Sequence, residues 1–113
     1  MDDAVNPADN STVTVLERFA GDGWDVNHRV TDDGNVECGE CSTTSKTESW
    51  TAGAEHRVEG ASDPDDLQMV VGLECPQCSA RGAVVVSYGP TGSEKDSEFV
   101  KAVDLSGAVD PLA

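Results

Sequence analysis

The chain has 113 residues, 37% hydrophobic but only 4% aromatic, and carries a formal net charge of -15 with a pI near 4.1. A length of this order gives one small domain with a thin core, which needs a disulfide, a metal or a partner subunit to stay folded. An acidic surface repels phosphate backbones and anionic membranes, so direct nucleic-acid binding is disfavoured and a membrane role is excluded as an expectation.

Abundant Asp and Thr beside three lysines resembles the proteins of salt-loving prokaryotes, with an acidic actinobacterial-type protein as the alternative. Concentrated salt shortens screening to about 3 Å at 1 M and tolerates such crowding of charge. No apolar run approaches a membrane span, and the start "MDDAVNPADN" is the opposite of a basic, apolar signal peptide. Both features predict a cytoplasmic protein, in which paired cysteines stay reduced and bind metal more often than they form structural disulfides.

In chain order, residues 1–10 read as a disordered tail, 11–105 as a single zinc-binding domain and 106–113 as a C-terminal tail that frays. "NSTVTVLERFAGDGW" predicts a helix capped at Ser11 or Thr12, with Val13, Leu16 and Ala20 at helical spacing and Phe19 beside them. "WDVNHRV" alternates, with Trp24, Val26, His28 and Val30 on one side; "DDGN" turns the chain and Val36–Cys38 returns as partner strand. Ser42–Ser49 reads as a polar loop. Ala54, His56 and Val58 alternate in a further strand. "LQMVVGLEC" begins after "DPDD", which resembles a helix start, yet Leu67, Met69, Val71 and Leu73 alternate, so a strand is the expectation and a helix the alternative. "AVVVSY" is a strand, and "SEKDSEFVKAVDL" is a helix capped by Ser93 with Phe99, Val100 and Val103 inward. The predicted class is α+β: a small antiparallel sheet, three to five strands, with one N-terminal and one C-terminal helix.

Chemistry concentrates in the only four cysteines, Cys38-x-x-Cys41 and Cys75-x-x-Cys78. Two cysteines three positions apart aim both sulfurs from one tight turn, and two such turns facing each other make a tetrahedral S₄ cage. Thiolates favour zinc or iron over hard, oxygen-seeking ions. The expectation is one structural Zn²⁺ per chain on Cys38, Cys41, Cys75 and Cys78. A rubredoxin-like iron electron carrier and a thiol-redox pair are the alternatives. "CPQC" is followed by a strand, whereas redox pairs precede a helix whose N-terminus stabilises the thiolate.

Over Val36–Tyr88 the four cysteines resemble those of zinc ribbons and, more broadly, of rubredoxin-like domains. That resemblance implies two knuckles on β-hairpins holding one metal. The sequence departs from it after each knuckle, where Ser42 and Ser79 stand in place of the usual glycine. A second resemblance covers "HRVEGASDPDDLQMVVGLECPQCSARGAVVVSYGP" and is to a small group of uncharacterised bacterial proteins. The matching residues are Arg57, Glu59, Gly60, Ser62, Pro64, Asp65, Asp66, Gly82, Val84, Tyr88 and Gly89, with "LERFAGDGW" fitting the group's leading helix and turn. Some of that group carry a phosphoribosylpyrophosphate synthetase label, which does not transfer, because this chain is short and has no phosphate-binding motif: "GPTGSEK" lacks the strand–GxxxxGK[ST]–helix pattern.

The remaining candidates carry less. His28 and His56 read as hydrogen-bonded sheet histidines, Trp24 and Trp50 as core or sheet-cover residues, and the acid pairs Asp32/Asp33 and Asp65/Asp66 as solvated turn caps. No nucleophile–base arrangement is visible, so the expected role is a noncatalytic protein-interaction module with an unidentified protein partner. A nucleic-acid-binding zinc ribbon, needing a basic patch around Arg57 and Arg81, is the other reading.

Overall fold

The computed structural model describes residues 12–58, 68–87 and 94–111. Among these residues ten elements follow one another: α1 (Thr12–Gly21), β1 (Val26–Asn27), β2 (Arg29–Val30), β3 (Val36–Glu37), β4 (Thr44–Ser45), a 3-10 turn (Thr47–Ser49), β5 (Thr51–Val58), β6 (Gln68–Glu74), β7 (Arg81–Ser87) and α2 (Glu94–Ala102). The predicted α+β class holds. The strands form two sheets rather than one, a four-stranded sheet ordered β1-β7-β6-β5 and a three-stranded sheet ordered β2-β3-β4. All pairs are antiparallel except β1 with β7, which is parallel.

α1 covers one face of the larger sheet. Its first turn is rich in β-branched residues, each of which costs a few tenths of a kcal/mol in a helix. Val15 and Phe19, one turn apart, are fully buried against Trp24, Ala54, Val70 and Ala83. Burial at roughly 1.5–3 kcal/mol per side chain outweighs that propensity loss. The inward stripe is therefore Val15–Phe19 with Leu16 at its margin, and Ala20, expected inside, faces solvent.

The opposite face of the sheet packs Met69, Val71, Leu73, Val84 and Val86 against Val30 and Val36 of the small sheet, Trp50, and Phe99 and Val103 of the C-terminal segment. β6 is one of the two inner strands and is buried on both faces, which resolves its sequence in favour of a strand. Its odd-numbered residues face the small sheet, while Val70 and Gly72 face α1 and Trp24. Trp24 lies so close over Gly72 that a β-carbon there would come 2.7 Å from the indole. Arg81 stacks on the indole, its guanidinium 4.0 Å from the ring centroid.

Four further expectations change. The "WDVNHRV" strand breaks at His28: Val26–Asn27 joins β7, and Arg29–Val30 joins β3. The inward and outward alternation survives the break, with Trp24, His28 and Val30 buried and Asp25, Asn27 and Arg29 exposed. The polar stretch 42–49 is ordered into β4 and the 3-10 turn, because Thr47 is buried and its hydroxyl donates to the Gly34 carbonyl at 2.7 Å. β5 starts earlier than predicted, at Thr51, and a bulge between Ala52 and Ala54 sends these two alanines to opposite faces.

The fourth change concerns the C-terminus, which was expected to fray. Val109 pairs in parallel with Ala54: the Glu55 N–H donates to the Val109 carbonyl at 2.9 Å, and the Val109 N–H to the Gly53 carbonyl at 3.2 Å. The segment thereby lies along the outer edge of β5. The expected caps Ser11 and Ser93, the strand start Leu67, the turn acids Asp63, Asp65 and Asp66, and the tail 1–10 fall outside the described residues. So do Glu59, Gly60, Ser62, Pro64, Tyr88 and Gly89 of the second resemblance.

Candidate metal centre

Each cysteine pair is the turn of a hairpin, Cys38–Cys41 between β3 and β4 and Cys75–Cys78 between β6 and β7. The two turns have the same construction. In the first, Ser42 N–H donates to the Cys38 carbonyl at 3.0 Å and Cys38 N–H to the Thr43 carbonyl at 3.0 Å. In the second, Ser79 N–H donates to the Cys75 carbonyl and Cys75 N–H to the Ala80 carbonyl, both at 2.9 Å. The residue that closes each turn is left-handed, Ser42 at φ 63° and Ser79 at φ 65°. That is the conformation glycine adopts most readily, and the departure seen in the sequence is a serine held in a glycine's backbone.

The first sulfur of each pair points into its own turn and accepts backbone N–H groups. Glu40 and Cys41 donate to Cys38 Sγ at 3.3 and 3.4 Å, and Gln77 donates to Cys75 Sγ at 3.3 Å. Cys38 and Cys75 are buried, whereas Cys41 and Cys78 reach the surface.

All four Sγ atoms lie within 4.8 Å of one another. Two contacts cross between the turns, Cys38 to Cys78 at 3.6 Å and Cys41 to Cys75 at 3.9 Å. A tetrahedron with metal–sulfur bonds of about 2.3 Å has edges of about 3.8 Å, so these separations fit a single ion at the centre. The crowded sulfurs also shift one another's protonation. The Thr43 hydroxyl and N–H pull the Cys41 thiol down to about 6, and the neighbouring sulfurs add to this. At Cys78 the Ala80 N–H also pulls down, but desolvation and the three other sulfurs push the thiol up to about 12. One sulfur gives up its proton readily and another holds on, as expected of coupled thiols in one cluster.

What brings the two turns together is the short segment Val26–His28 between them. A β-carbon on Gly39 would collide with the Asn27 carbonyl oxygen, and one on Gly82 with the Val26 carbonyl oxygen. Side chains at either position would therefore hold the turns apart. His28, buried at 5% exposure, finishes the joint. The Gly39 N–H donates to its Nδ1 at 3.1 Å, and its Nε2–H donates to the Ala80 carbonyl at 3.3 Å. Those two bonds require a neutral ring protonated at Nε2, and burial lowers the pKa of His28. The edge of the ring meets Trp50, with centroids 4.8 Å apart.

The sulfur cluster thus brings together the four predicted cysteines and includes neither histidine. His56 lies on β5, its Nδ1 3.0 Å from both carboxylate oxygens of Asp110. The tie through His28 was not legible as such, because an alternating strand shows that a histidine is buried without showing what its ring nitrogens meet. Thr43, two positions after the knuckle, is the other missed contributor.

No family model matches the chain, and neither a curated protein nor a solved structure matches it. The arrangement of the sulfurs is consistent with a zinc-ribbon-like site, and the functional reading rests on that geometry. No helix among the described residues is long and apolar enough to cross a membrane.

Proposed function

We propose that the chain is a noncatalytic protein-interaction module whose Cys38, Cys41, Cys75 and Cys78 hold one Zn²⁺ as a structural cross-link. The observation that carries this reading is the convergence of four sulfurs, two from each hairpin, at tetrahedral separations. Four thiolates complete the coordination of zinc and leave no position for a substrate or a reactive water, which is the pattern of a structural site rather than a catalytic one. When bound, the ion supplies positive charge and a fixed geometry. The chain's own residues set where that geometry sits: the N–H groups of Glu40, Cys41 and Gln77 orient the inner sulfurs, and His28 locks the two turns in register.

The ion would join the small sheet, through β3 and β4, to the central strands β6 and β7. The chain as a whole is strongly acidic, with 22 Asp and Glu against 7 Lys and Arg, and is suited to a protein partner that presents basic residues. The same charge disfavours nucleic acid.

Elemental analysis with optical absorption on the purified protein tests the metal. One zinc per chain in a colourless solution is the expected result, and iron with visible charge-transfer colour would replace the structural reading with electron transfer. Capture of a basic protein partner at the protein's working salt concentration tests the interaction role. Salt-sensitive retention of DNA or RNA instead would overturn it.

A further inference from the structure

The two cross-turn contacts share a feature that a symmetric zinc site does not require. Each pairs a sulfur at the surface with a buried one on the opposite hairpin: Cys78 with Cys38 at 3.6 Å, and Cys41 with Cys75 at 3.9 Å. Both buried sulfurs are occupied on their near side by N–H donors from their own turn. Their far side faces the other hairpin's exposed sulfur. A small oxidant reaches the outer sulfur first, and an inner sulfur of the opposite hairpin then lies 3.6 or 3.9 Å away across the gap.

From this geometry we infer that the cluster is a site of directed oxidative modification, in which a peroxide joins Cys38 to Cys78 and Cys41 to Cys75. The inference rests on the proposed zinc reading only in that the ion is what oxidation displaces. Held as a thiolate when the ion is bound, the exposed sulfur attacks hydrogen peroxide, so that an S–O bond forms, the O–O bond breaks and hydroxide leaves. The buried thiolate then attacks the resulting sulfenic sulfur, so that the S–S bond forms, the S–O bond breaks and a second hydroxide leaves to take a proton from solvent. Each pair gives two electrons to one peroxide. A disulfide sulfur is no longer a thiolate ligand, so the first bond leaves the ion two ligands short and the second completes its release.

The pairing decides what remains afterwards. Bonds within each C-x-x-C turn would close two small loops and leave the hairpins untied. Bonds across the gap close loops spanning sequence separations of 40 and 34 residues and connect the same two hairpins that the ion connects. Loops of that size constrain the unfolded chain far more than a four-residue loop does. The oxidised, metal-free protein therefore keeps its fold, while the reduced, metal-free protein loses it.

The test treats the full-length, metal-loaded chain with hydrogen peroxide, after its metal content has been measured. Three readouts follow: ion release by a chromogenic chelator, intact mass, and disulfide mapping. Cleavage after Glu40 separates Cys38 from Cys41, and fragmentation at the Cys75–Pro76 bond separates Cys75 from Cys78. The expected result is loss of one ion per chain, a mass about 4 Da below that of the four-thiol chain, the pairs Cys38–Cys78 and Cys41–Cys75, and a melting transition retained in chelator. Pairs Cys38–Cys41 and Cys75–Cys78, bonds between chains, sulfinic or sulfonic acids as the main products, or sulfurs that resist peroxide would each overturn the proposal. A chain purified without metal would sink the zinc reading alone, since the disulfide map still decides the pairing.

Discussion

The backbone N–H of Gly39 points at Nδ1 of His28 across 3.1 Å, while the other nitrogen of the same ring holds the Ala80 carbonyl at 3.3 Å. One imidazole thus bridges the two cysteine turns beside the sulfurs. Replacing it by a ring of similar shape without nitrogens isolates that role. His28→Phe is expected to keep the contact with Trp50 but leave both backbone partners unpaired, costing about 1–3 kcal/mol of stability. Metal affinity should fall by about tenfold, as when groups that orient ligands are lost. Denaturant titration and competition with a calibrated chelator read the two effects, and an unchanged affinity would show that the turns meet without the bridge.

Acid should expose the same residue. Burial lowers the His28 pKa below the ordinary imidazole value of about 6.5, so below about that pH the unfolded chain takes up a proton that the folded ring refuses. Its contribution is therefore present above pH 6.5 and is lost as the pH falls through the window beneath. Arg29, Lys95 and Asp96 line the cavity of about 460 Å³ that the ring also borders. Protonation of the thiolates also weakens metal binding in acid, but it acts on His28→Phe as well. The stability advantage of the native chain over His28→Phe is expected to narrow between pH 7 and about pH 5, by at most about 1.4 kcal/mol per pH unit. A constant gap would mean that His28 is not buried neutral.

Removing the ion should cost far more than any one side chain. In a small domain a loss of 1 kcal/mol lowers Tm by about 4–8 °C, and structural zinc contributes several times that. Under reducing conditions a strong chelator is expected to lower Tm by at least about 15 °C, and added Zn²⁺ to restore it. Calorimetry with and without chelator checks this, and coincident transitions would remove the cross-link from the account.

The two left-handed serines make an opposite prediction. Ser42→Gly and Ser79→Gly relieve a side chain held at φ 63° and 65°, and each is expected to stabilise by about 0.5–1 kcal/mol after the greater freedom of glycine in the unfolded chain is counted. Valine at either position should destabilise by more than that. Denaturation midpoints at saturating metal decide the sign, and a loss of stability in both glycine variants would mean that the serine side chains contribute something beyond the backbone they occupy.

The parts of this architecture visible in the sequence are those whose signal is local. The cysteine spacing, the apolar run of β7 and the alternation through Met69, Val71 and Leu73 each follow from a few neighbouring residues. The parts that escaped depend on distant partners. Nothing near His28 marks the point where one strand leaves a sheet and joins another, because its cause is the packing of Val26 on Gly82 and of Asn27 on Gly39. The buried hydroxyl of Thr47 looks like loop polarity until Gly34 is placed beside it. Val109 is an apolar residue between acidic and small ones, and only its pairing with Ala54 gives it a place.

That last pairing has a consequence for behaviour in a crowded solution. β5 is the terminal strand on its side of the larger sheet, and a bare terminal strand invites another chain to continue the ladder. Here the rungs at Gly53 and Glu55 are already taken from within the same molecule. Edge-to-edge growth into fibrils from β5 has to displace that segment first, which guards this edge independently of the mutual repulsion of the chain's charges.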